Sequence, residues 1–133
     1  MSIDTAGFGP GFQVHHDSDI QSLHWVDGAL RVVIARELGA DGRVHGIEIR
    51  FAKASGLRLL DEADLARYWV SDGFVRGYHV LEVLGGGWAG EQAVVEGHER
   101  QRREWLLVTG NGCASVFADA PPDITETTWT KTE

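Results

Sequence analysis

The stretch IQSLHWVDGALRVVIA, residues 20–35, decides the fold class. Asp27-Gly28 suits a two-residue type I′ turn, whose central positions both need positive φ, and it lies between runs rich in β-formers. Pairing across that turn sets Trp25 opposite Leu30, Leu23 opposite Val32 and Gln21 opposite Ile34 on one face, which is apolar except for the glutamine. His24 and Arg31 pair on the other face. One greasy face and one wet face describe an antiparallel sheet packed on a single side.

Downstream, GADGR (39–43) turns the chain into VHGIEIRF (44–51), where Ile47, Ile49 and Phe51 alternate with Gly46, Glu48 and Arg50. This adds a third strand to the meander. LRLL (57–60) is either a short fourth piece or a lead into the next element. A helix is expected over 61–70, with Asp61 as its cap and Glu62 and Asp64 in the first turn, where the helix dipole favours negative charge. Its inward stripe is Leu65 and Trp69, with Tyr68 alongside. A strand follows over 78–84. Residues 89–102 carry too weak a period to assign. In REWLLVTGNGCASVFADA (103–120), Asn111-Gly112 predicts a second I′ hairpin pairing Leu107 with Val116 and Leu106 with Phe117.

The fold expected is therefore α+β: an antiparallel β-sheet built from hairpins, with one or two helices packed on one face. Residues 1–12 read as a flexible N-terminal arm, 13–122 as a single α+β domain, and 123–133, after Pro121-Pro122, as a polar C-terminal tail in which Trp129 tucks back. Leu23, Trp25, Leu30, Val32, Ile34, Ile47, Ile49, Phe51, Leu65 and Trp69 are the expected core.

Composition bounds the function. The 133 residues include 12 Lys and Arg against 20 Asp and Glu, a formal charge of −8. Such a surface repels phosphate backbones, and the one dense basic run, HERQRRE (98–104), is interrupted by Glu99 and closed by Glu104, so nucleic acid is not an expected partner. The start MSIDTAGFGPGF lacks a basic and an apolar region, and no run is long enough to span a bilayer. A cytoplasmic protein with no membrane contact is expected. Cys113 is the only cysteine, and it reads as a small buried residue in a sheet rather than as a nucleophile.

Two stretches carry candidate sites. HHDSD (15–19) gathers possible metal ligands, but adjacent histidines on a strand point to opposite faces, and a turn accounts for the same residues. LEVLGGGWAGEQ (81–92) puts three glycines before Trp88. It lacks the G-x-G-x-x-G spacing and a following amphipathic helix to hold a phosphate, so the glycines read as a sharp turn and Trp88 as sheet cover or as an exposed contact. DEAD (61–64) is explained by the helix start.

The segments FAKASGLRLLDEADLARYW, HVLEVLGGGWAGEQ and EWLLVTGNGCASVFADAPPDI, in that order, resemble small single-domain bacterial proteins of unknown function that are similar to immunity proteins in size, acidity and α+β character. The resemblance implies no chemistry and carries over no functional residues; by analogy of size and charge, a basic partner such as a toxin is the expected target. The expectation is a non-enzymatic protein that needs no cofactor and works through protein–protein contacts, with a partner protein or as a homodimer, using Trp88, Glu82 and Glu91. The alternative is a metal-dependent hydrolase built on His15, His16 and Asp17.

Overall fold

The computed structural model describes residues 3–61, 66, 68–97 and 102–131. Their strands are β1 (Ile3–Gly7), β2 (Asp19–Val26), β3 (Ala29–Leu38), β4 (Arg43–Phe51), β5 (Gly56–Leu60), β6 (Val80–Gly86), β7 (Glu104–Val108), β8 (Cys113–Phe117) and β9 (Asp123–Thr130), with helix α1 (Gly87–Glu96) between β6 and β7. They make two antiparallel sheets, not one. The larger has the order β1-β6-β7-β8-β5 and the smaller β2-β3-β4-β9. No helix of the described residues is long and apolar enough to cross a membrane.

The first hairpin forms as its turn chemistry dictates. Asp27 and Gly28 both take positive φ, and Trp25 faces Leu30, Leu23 faces Val32 and His24 faces Arg31. The register then slips. Ile20, not Gln21, lies opposite Ile34, because Gln21 is the extra residue of a β-bulge. The meander continues through β4, and a fourth strand, β9, completes this sheet by pairing along the whole of β4's inner run. Residues 123–130 are thus a strand and not a free tail. Their Thr-rich composition, with Asp123 and Glu126, suits an edge strand with a wet face, while Ile124 pairs with Ile49 on the packed side.

The larger sheet is the middle layer. Leu30, Val32, Ile34, Ile47, Ile49 and Phe51 from the smaller sheet pack against Val80, Trp105, Leu107, Ala114 and Val116 of the larger one. On the other face, Ile3, Leu60, Tyr68, Phe74, Leu81, Leu106, Val108 and Cys113 form a second cluster, so every residue of β7 and β8 is buried. The N-terminal segment contributes to this layer instead of fraying. Ile3 is buried, Ser71 bonds both backbone groups of Ile3, and the Thr5 hydroxyl donates to Gly73 O at 2.9 Å and accepts from Val75 N–H at 2.9 Å.

Leu65 lies outside the described residues, as do 62–64 and 67. The described Ala66, Tyr68 and Trp69 are helical, and Tyr68 is the side chain that is buried. Trp69 remains 36% exposed, so the inward stripe is rotated from the one expected. Trp25 is 42% exposed for a different reason: its face is the right one, but β2 is an edge strand with no neighbour beyond it.

The second hairpin is two residues out of the expected register. Leu107 pairs with Ala114 and Leu106 with Ser115, making Gly110-Asn111 the turn, and neither residue is left-handed. The Thr109 hydroxyl decides this. It accepts from Gly112 N–H at 3.0 Å and Asn111 N–H at 3.3 Å and donates to Gly112 O at 2.7 Å, the two bonds to Gly112 being buried. Thr109→Val keeps the shape but strands those buried groups, so it should lower the unfolding free energy by about 1–3 kcal/mol, with Thr109→Ser close to wild type in urea melts.

Candidate functional site

The glycines at 85–87 lead out of β6 directly into α1, so a helix does follow them. Gly86 (φ 70°) and Gly87 (φ 61°) hold the left-handed backbone that swings the chain through this corner, and Gly97 (φ 78°) ends the helix with its N–H on Ala93 O. The weak apolar period of GWAGEQAVVE hides this helix from sequence reading. Its N-terminal N–H groups are the anion cradle that the glycines suggested, and an internal anion fills it. Glu104, 1% exposed, accepts from Trp88 N–H at 3.0 Å and Ala89 N–H at 2.7 Å. A Cβ at Gly87 would stand 2.9 Å from that carboxylate, so glycine is required on steric grounds as well. Burial pushes the Glu104 carboxyl above its usual range, while the two N–H groups and Arg58 pull it back.

The side chains proposed around this loop are built into the structure. Trp88, half-buried, stacks on Phe117 with ring centroids 4.1 Å apart and an interplanar angle of 14°, and the Arg58 guanidinium lies 5.2 Å from its ring. Glu91 takes Arg58 Nη1 at 2.6 Å and the Tyr68 hydroxyl at 3.1 Å, and Arg58 Nη2 donates back to Tyr68 at 2.9 Å. This closed network staples α1 and the Tyr68 segment to β5. Glu82 does not join it. Alternation along β6 sends Glu82 to the opposite face from Val83, where it pairs with Arg103 at 3.1 Å.

His15, His16 and Asp17 sit in the loop before β2, and that loop is well anchored. Buried Ser18 donates to His15 O and accepts from Gly110 N–H, and Asn111 Nδ2 reaches His16 O and Ser18 O, each at 3.1 Å. His15 pairs with Glu37 at 3.2 Å, and His16 with its neighbour Asp17 at 3.3 Å in an exposed position. Among the described residues no three His, Cys, Asp or Glu side chains are gathered to hold a metal ion.

The loop overhangs a cleft of about 580 Å³ whose floor was not legible in the sequence. Two β-bulges lie side by side there. The extra residue of one is Gln21 on β2 and of the other Arg36 on β3, and both line the cleft. A bulge re-aims a side chain that the pleat would otherwise direct elsewhere. Arg36 stacks its guanidinium 4.0 Å over Phe12, its Nε is buried with no hydrogen-bond partner, and it forms no ion pair among the described residues. The cleft's apolar wall is Leu38, Val44 and Trp129, whose indole lies over Gly46, the residue opposite the bulge at Ala35.

Two titrations with opposite signs follow from the buried groups. His79 is 1% exposed, and burial holds its imidazole below the ordinary value, so stability falls as pH drops below about 6.5, the unfolded value. Glu104 is held above the unfolded carboxylate value of 4.5, so its contribution is greatest below that pH and declines as pH rises toward the folded value. Glu104→Gln should remove the second slope and, by placing an amide donor against the helix N–H groups, cost about 1–3 kcal/mol at neutral pH in chemical denaturation.

No family model, curated protein or solved structure matches this chain.

Proposed function

We propose that the protein works without catalysis, by binding another protein through the side of the sandwich where the edge strands β2 and β5 lie. The observation that carries this reading is apolar exposure on those two edges: Trp25 and Val26 on β2, and Leu59, 65% exposed, on β5. The edges share one side. Gly9, just past β1, packs against Ile124 of β9, and Ala54, just before β5, donates its N–H to Gly28 O in the β2–β3 turn, so β5 begins beside that hairpin. The other two edges are less inviting: residues 71–75 bond along β1, and β9 presents mainly threonines with Asp123 and Glu126.

Exposed strand edges offer unpaired backbone groups to an incoming chain, and tryptophan is enriched at the centres of protein interfaces. The charge of −8 favours encounter with a basic partner and opposes self-association. A site at Trp88, Glu82 and Glu91 has less support, because Glu91 is engaged by Arg58 and Tyr68, Glu82 by Arg103, and the Trp88 ring by Phe117. The metal-dependent hydrolase reading also has less support, since His15 and His16 each answer a different carboxylate.

Affinity isolation from the native cell separates the two surfaces. The Trp25→Thr/Leu59→Thr protein should melt near the wild-type temperature and lose the basic partner, while Trp88→Ala should keep it. Retention by the edge variant with loss by folded Trp88→Ala would return the site to the helix. Self-association in sedimentation, abolished by the edge variant, would make the occupant a second copy.

A further inference from the structure

The cleft beneath the His15–Asp17 loop carries an inference independent of the protein-binding edge. The geometry points to a binding site for a small organic monoanion, a carboxylate on an apolar body, held by Arg36.

Arg36 is the central observation. Its Nε is buried and unpartnered, it makes no ion pair among the described residues, and stacking on Phe12 leaves its charge unneutralised. The chain places it there by an extra residue in β3, beside a second extra residue, Gln21, in β2. Arg36 and Gln21 then share one concavity. Its volume, about 580 Å³, falls in the range that encloses small molecules rather than a flat protein surface.

The remaining lining narrows the chemistry. Lys131 adds a second cation at the rim and, among the described residues, has no ion-pair partner. Asp17 and Glu37 also line the cleft, each against a histidine. Those two carboxylates oppose a dianion such as phosphate more than a monoanion. Leu38, Val44 and Trp129 form a wall that rewards an apolar body and that a bare ion would leave wet. A planar guanidinium matches a carboxylate with two parallel N–H donors, and Trp129 offers a flat ring for an aromatic or alicyclic body.

Benzoate is the probe, with benzamide as its uncharged isostere and inorganic phosphate as the bare anion. In two-dimensional ¹⁵N NMR of the full chain, benzoate should shift the Trp129 indole N–H and the amides of Ala35, Leu38 and Val44 saturably. Benzamide and phosphate should shift them little. Arg36→Met should weaken benzoate binding by about tenfold or more, with Arg36→Lys intermediate. Should Arg36→Met fail to fold, the benzoate–benzamide comparison on the wild-type chain still decides. Absence of saturable shifts at the cleft, equal binding of benzamide, stronger binding of phosphate, or unchanged affinity in a folded Arg36→Met protein would each overturn the assignment.

Discussion

Everything in this fold is arranged around a sheet that is buried on both faces. β7 and β8 run through the middle of the molecule with no residue exposed, so their side chains need a cover on either side. The smaller sheet supplies one cover: its Phe51 packs on Trp105 of β7 with ring centroids 6.3 Å apart, and that indole donates its N–H to Ala118 O. Helix α1 and the Tyr68–Tyr78 segment supply the other. A doubly covered sheet penalises dry polar groups, and most of those present are hydrogen-bonded, although His79 Nε2 and Arg58 Nε are buried without a partner. Glu104 caps the helix, Thr109 closes a hairpin, Ser115 lies beside Arg58, and His79 meets Val108 O through Nδ1 at 2.6 Å.

Once the middle layer is set, the features with functional promise fall at its periphery. The smaller sheet has one packed face and one wet face, and at one end of the wet face the two bulges open a cleft. The strand order leaves β2 and β5 as uncovered edges on a single side. The GGGW corner, which has the look of a ligand loop in sequence, lies instead over the buried layer, where helix start, carboxylate and aromatic stack hold one another. Glycine there answers a packing demand: two positive φ values and a carboxylate with no room for a Cβ beside it.

Local chemistry made several elements legible. Asp27-Gly28 determined the first hairpin and with it the core positions Leu30, Val32 and Ile34, and the alternation of Ile47, Ile49 and Phe51 determined a half-buried strand and three more. The acidic first turn of the 61–70 segment pointed to helix, and the described Ala66, Tyr68 and Trp69 agree. Antiparallel pairing and the absence of a long apolar helix among the described residues were also readable from pattern alone.

What only the tertiary structure decided shares one physical cause: it depends on a partner far away in sequence. Residues 123–130 are polar enough to pass for a tail, and become a strand because β4 offers an open edge. The second hairpin keeps its strands but shifts by two because a threonine hydroxyl binds the turn more effectively than Asn-Gly can. Trp25 sits on the predicted face yet meets solvent because strand order, unknown to a local pattern, put β2 at an edge. The bulges at Gln21 and Arg36 leave no mark on hydrophobic periodicity, since each is a mismatch between two strands and belongs to neither alone. Sequence thus determined which residues pair nearby, and long-range packing decided where charge, aromatic surface and open edge came together.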